Sequence, residues 1–166
     1  KQETLAFFEQ LVWEDERPLS HLFNAQLTVV SPTLAAYYGF DGEGQIDLAS
    51  YPERGGLLTQ GSVLTIGGDG SSMVARGLYV FETFLCGTVG SPPPGVDTTP
   101  LPVVPGASQR SYSEERVTNP SCSGCHVRME PPAWGLERFD GTGVYRLEDE
   151  YGREKKTRRS WSRKIL

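Results

Sequence analysis

Six prolines crowd into the seventeen residues from 90 to 106. Proline has no backbone N–H and a fixed φ, so this stretch can neither continue a helix nor join a sheet ladder. It reads as an extended linker wrapped on a surface. The whole chain of 166 residues holds 19 Gly and 12 Pro, which implies many turns and loops but falls short of a disordered composition. That length supports one well-buried core with a small appended unit. No apolar run approaches the ~18 residues a membrane helix needs, so no transmembrane segment is expected. The chain opens in what reads as mid-helix with no signal peptide, as expected of a mature product or an excerpt of a longer protein.

Between the breaks the pattern is helical. Residues 3–16 set Leu5, Phe8, Leu11 and Val12 at helical spacing. A short helix over 19–24 carries His21, and residues 27–30 are β-branched enough to be extended. Ser31-Pro32 starts a further helix that Gly39 stops. Residues 40–53 read as a surface loop. A helix over 57–66 is weakened by Gly61, and Ser71 or Ser72 caps a strong helix over 73–86 with Val74, Leu78, Phe81 and Leu85 on one stripe. A polar helix over 111–117 leads into a cysteine segment, and Pro131-Pro132 opens a short helix through Phe139.

Net charge is −5, which argues against a general nucleic-acid binder. The charge is uneven, because residues 153–166 carry seven Lys or Arg and one Glu. This basic block reads as a solvated tail, with an electrostatic docking arm as the alternative.

Residues 122–126 read Cys-Ser-Gly-Cys-His, the C-x-x-C-H spacing of covalent c-type haem attachment. On one helical turn, residues i and i+3 project the same way, so the thiols of Cys122 and Cys125 can reach the two vinyl groups on one edge of a porphyrin. His126 then falls beneath the iron as the proximal ligand. A zinc knuckle would need two more ligands from Cys86, His21 and His126, and a thioredoxin-like thiol pair would want an α/β pattern that is absent. The expected fold is mainly α, a cytochrome-c-like haem-binding helical module with long Gly/Pro-rich loops, holding one covalent haem c.

Several separated motifs in this order resemble the planctomycete-type cytochrome c family, large secreted bacterial proteins with domains of unknown function around c-haem motifs. They are Arg54-Gly-Gly-Leu-Leu-Thr-Gln, Ser71-Ser-Met-Val-Ala-Arg-Gly, the Pro92-Pro-Pro stretch, Asn119-Pro-Ser-Cys-Ser-Gly-Cys-His, and Leu136-Glu-Arg-Phe-Asp-Gly-Thr-Gly-Val-Tyr-Arg. Residues 18–39 are similar to the end of the preceding domain in that family, so the resemblance covers roughly residues 17–146. It implies a secreted, haem-bearing protein. Three departures stand out. Arg116 occupies the place of a frequent family histidine, Ser72-Met73-Val74 replaces Ser-Pro-Val, and the acidic-then-basic ending after Arg146 is unlike the usual continuation. The expected organisation is the end of a helical domain over 1–50, a haem-binding domain over 51–148 with the linker at 90–106, and a charged tail over 149–166.

A second axial ligand would set the iron's potential. Met73, after a Gly-rich break at a helix start, is the first candidate, with His21 second. Met129 is third, because three residues after His126 it shares that residue's helical face. Trp134 and Phe139 are candidate haem walls or plain core, and Arg54, Arg76 and Arg128 are candidate propionate partners or ordinary arginines. Glu137 and Asp140 read as helix-end and turn residues, and Cys86 as a buried small hydrophobe. The expected function is electron transfer with redox protein partners, in the periplasm or at the cell surface, within a larger multi-subunit or multi-haem assembly. The alternatives are a peroxidase-like haem enzyme with an open sixth position and a non-catalytic docking subunit of a membrane-associated or cell-surface complex.

Overall fold

The computed structural model describes residues 1–102, 104–149 and 151–155. The basic tail therefore falls largely outside the described residues. The chain forms two compact units, one of Lys1–Thr65 with Thr142–Val144, the other of Ile66–Gly141 and the described residues from Tyr145 onward. Helices dominate both, and strand is confined to one short pair and isolated bridges among the described residues.

In the first unit, α1 (Gln2–Glu9) runs on into a π-helical turn over Gln10–Glu14. Its inward residues are Phe7 and Leu11, packed with Ala25, whereas Leu5 and Phe8 face out. The apolar stripe at 5 and 8 is thus displaced, because Glu3 and Phe7 take the inner face. Strand β1 (Leu27–Val30) pairs antiparallel with β2 (Gly44–Asp47), Leu27 opposite Asp47 and Val30 opposite Gly44. Helix α2 (Pro32–Tyr38) lies between them in sequence. Ser31 caps it by accepting from the Leu34 N–H, and Gly39 ends it at φ 74°, a left-handed conformation that costs glycine nothing. Residues 40–53 are not a plain surface loop. They supply β2 and bury Phe40, Ile46 and Leu48 against Val30 and Ala35.

A buried polar knot closes this unit. The Glu3 carboxylate accepts from Thr28 Oγ1 and Tyr38 OH, each at 3.0 Å. Arg54 stacks over the Tyr38 ring at 3.9 Å and donates to the carbonyls of Thr59 and Gly143. A 3-10 turn over Leu57–Thr59 precedes the short α3 (Gly61–Leu64), so the single helix expected over 57–66 is broken at Gln60, whose backbone is extended.

The second unit is built from α4 (Met73–Phe84), α5 (Gln109–Thr118), α6 (Ser123–Met129) and α7 (Pro131–Trp134). Ser72 caps α4 by accepting from the Ala75 N–H. Its buried residues are Met73, Arg76, Gly77 and Val80, while Leu85 lies 60% exposed beyond its end. The stripe expected at 74, 78, 81 and 85 is rotated because Gly77 must face inward. A Cβ there would overlap the Met129 carbonyl oxygen. The described residues of 90–106 form no helix or strand and are mostly exposed, as their prolines require. Cys86 is exposed rather than buried, at φ 53° just past α4.

Candidate functional site

Asn119 and Pro120 set up the cysteine segment. Asn119 Oδ1 accepts from the Ser121 N–H, and its carbonyl accepts from the N–H groups of Cys122 and Ser123. This local turn makes Cys122 the N-cap residue of α6. The Cys122 carbonyl then accepts from the N–H groups of Cys125 and His126. The two cysteines lie three residues apart on a helical turn, both half-buried and both free thiols.

His126 is held from one side. Its Nδ1 lies 2.6 Å from Glu130 Oε1, one turn further along the chain. Glu130 is fully buried and joins α6 to α7, whose Pro131 occupies the first helical position. Arg116 of α5 grips the same carboxylate with a fork, Nε to Oε1 at 2.6 Å and Nη2 to Oε2 at 2.7 Å. A carboxylate so paired accepts hydrogen bonds only, so the proton of a neutral imidazole sits on Nδ1. The lone pair of His126 is thereby on Nε2, which has no hydrogen-bond partner among the described residues.

One face of α5 supplies three such contacts. Arg110 donates to Glu137 at 2.7 Å and stacks over the Trp134 ring at 4.0 Å. Ser113, fully buried, accepts from Trp134 Nε1 at 2.7 Å. Arg116 follows one turn on. Glu130 went unnoticed in the sequence, although its i+4 spacing from His126 marks it as a side-chain neighbour.

The remaining candidates fall as follows. Met73 is 3% exposed in a cluster with Ala133 and Trp134, to which Cys122, Cys125 and His126 do not belong. Met129 is buried. His21 sits in the 3-10 turn over Leu19–Leu22 of the first unit. Phe139 packs edge-on to Tyr145 at 5.3 Å. Arg128 is exposed and, among the described residues, donates to the Gly124 carbonyl within α6. Arg54 and Arg76 are buried, not surface arginines. Arg76 donates to the carbonyls of Leu136, Phe139 and Asp140, and burial pushes its guanidinium down to about 10. Glu137 and Asp140 are each held in an ion pair, with Arg110 and Arg146.

A cavity of about 710 Å³ in the second unit is bordered by Met73, Arg110, Glu114, Glu137 and Asp140 among others, and not by the residues of the cysteine turn. Among the described residues no three His, Cys, Asp or Glu side chains gather as a metal-holding group, so a zinc knuckle finds no further ligands in place. What the turn offers is two free thiols and one imidazole nitrogen whose lone pair meets no hydrogen-bond donor among the described residues.

The class so defined is a mainly α protein whose cysteine–histidine helix is backed by an Arg–Glu pair with its carboxylate buried. The chain belongs to the PSCyt3 family, described as protein of unknown function (DUF1588), whose model matches residues 54–149. Residues 1–40 match PSD4, likewise described as protein of unknown function (DUF1592). No curated protein and no solved structure matches the chain.

Proposed function

We propose that the chain is a c-type cytochrome module with a cytochrome-c-like helical domain, carrying one covalently attached haem for electron transfer. The carrying observation is α6 itself, with Cys122 and Cys125 free and one turn apart, and His126 directly after them with Nδ1 occupied by Glu130. The donor set fits the group. The thiols of Cys122 and Cys125 would form the two thioethers, and Nε2 of His126 would bind the iron. When bound, the haem supplies the one-electron chemistry.

The chain's own residues orient and shield. Glu130 fixes the plane and tautomer of the His126 ring. Cys122, Cys125 and His126 are only half-buried, so the site is open to electron exchange with a redox partner protein. The same reading has the protein in the periplasm or at the cell surface, where covalent haem of this kind is attached, and working within a larger assembly. No helix among the described residues is long and apolar enough to cross a membrane.

The test is expression with the haem-attachment machinery of the periplasm. The expected product is heavier than its polypeptide by one haem, shows a Soret band, and gives a low-spin reduced-minus-oxidised spectrum. The Cys122→Ala/Cys125→Ala double variant loses the covalent adduct. A wild-type product with no Soret absorbance overturns the reading. The second reading, a peroxidase-like enzyme with an open sixth position, draws on the packing of Met73, the first candidate for a second ligand, into the core around Trp134. A high-spin ferric spectrum that responds to peroxide or carbon monoxide favours it.

A further inference from the structure

We propose that Glu130 and Arg116 act as an opposed pair of positioning residues that set the donor strength of His126, and through it the reduction potential of an iron bound at Nε2. The inference rests on the haem reading above and goes beyond it by assigning the groups that tune the site.

The geometry makes the opposition explicit. Glu130 Oε1 lies 2.6 Å from His126 Nδ1 and also 2.6 Å from Arg116 Nε, so one oxygen serves both donors. Arg116 Nη2 takes the second oxygen at 2.7 Å. The Glu130 side chain is 0% exposed, while Arg116 and His126 keep only a small part of theirs in solvent. In so dry a setting the carboxylate's charge is weakly screened, and short charge-assisted bonds are strong. The carboxylate draws the Nδ1 proton toward itself, which raises electron density at Nε2 and favours the more positive ferric state. Arg116 draws on the same oxygen and limits that effect.

Two neutralising substitutions therefore shift the potential in opposite directions. Glu130→Gln leaves a weaker acceptor opposite Nδ1 and raises the potential. Arg116→Gln leaves the whole carboxylate charge to His126 and lowers it. Each shift is expected to be about tenfold in the reduction equilibrium, which is 59 mV for one electron. A scaffold role alone would loosen the haem setting in both variants and could not give shifts of opposite sign.

The experiment is an equilibrium redox titration of the haem-loaded full chain and both variants, with the covalent adduct checked by mass. Opposite shifts support the proposal, and shifts of the same sign, or none beyond threefold, overturn it. Should Glu130→Gln fail to accumulate, Arg116→Gln decides alone, since only a fall in potential is compatible. A second readout uses the haem-free chain, whose imidazole ¹⁵N spectrum at neutral pH is expected to have His126 protonated on Nδ1. A majority of the Nε2-protonated form overturns the proposal directly. If the wild-type chain takes up no haem, the reading beneath the proposal fails and the proposal falls with it. Normal haem attachment with unmoved potentials sinks the proposal alone.

Discussion

Gly77 of α4 lies so close to the carbonyl oxygen of Met129, at the end of α6, that no side chain fits between them. A Cβ at that place would also stand 3.1 Å from the Glu130 Cα. The glycine thus lets α4 pass directly behind the residue that holds His126. Backbone is the obstacle, so no rotamer change relieves the clash.

Gly77→Ala is the first prediction. In an exposed helix this change stabilises by roughly 1 kcal/mol. Here it is expected to destabilise by about 1–3 kcal/mol through overpacking. A urea melt of the haem-free chain reads the sign, and a gain in stability would refute the close approach.

Arg76 carries the second. Its guanidinium is fully buried and donates to three main-chain carbonyls, those of Leu136, Phe139 and Asp140. These carbonyls lie in the turns that follow α7, where the Leu136 carbonyl also accepts from the Phe139 N–H. Arg76→Met keeps much of the volume but removes three charge-assisted bonds to main-chain carbonyls, so a loss of about 3–5 kcal/mol is expected. Arg76→Lys cannot reproduce the fork and should recover only part of it. Equal stability of wild type and Arg76→Met by denaturant titration would contradict this.

What the sequence revealed and what it hid follow one physical line. Features set by bonds between near neighbours were legible. Ser31 and Ser72 cap their helices, Gly39 terminates α2, and Cys122, Cys125 and His126 share a helical turn. Features set by distant partners were not. Strand β2 hides among the breaks of 40–53 because its identity comes from pairing with β1. Helix α5 looks like a solvent-facing polar segment, yet Arg110, Ser113 and Arg116 turn inward onto Glu137, Trp134 and Glu130. Apolar periodicity cannot detect a buried face made of paired charges. The inner face of α4 escapes apolar periodicity for the same reason, since Arg76 and Gly77 occupy it.

Tyr38 gives a pH prediction. Burial, reinforced by the Glu3 carboxylate at 3.0 Å, pushes its phenol above the ordinary tyrosine value. The unfolded chain ionises near 10 while the folded phenol keeps its proton, so the folded state binds more protons above that pH. The stabilisation is full below about 10 and is lost as pH rises toward the folded value. Wild type should therefore lose stability between pH 9 and roughly 11 more steeply than Tyr38→Phe. At neutral pH the variant should be weaker by about 1–2 kcal/mol, having lost the bond to Glu3 and the acceptor for the Gly61 N–H. Parallel pH profiles for the two proteins would remove Tyr38 as the source.

Met73 separates packing from ligation. In the haem-free fold its thioether is 3% exposed and packs with Ala133 and Trp134, with Val117 against the same cluster. Truncation to Ala removes that contact and leaves a cavity beside the indole, so a loss of about 2–5 kcal/mol is expected without any haem. The indole is fixed by its own bond to Ser113, which restricts how far the site can collapse and pushes the cost toward the upper end. If Met73 stays in this core when haem is attached, the loaded Met73→Ala variant keeps the absorption spectrum of the wild type while melting at lower temperature. Loss of a sulfur-to-iron charge-transfer band in the variant would instead place the thioether on the iron and require α4 to turn its first residue out of the core.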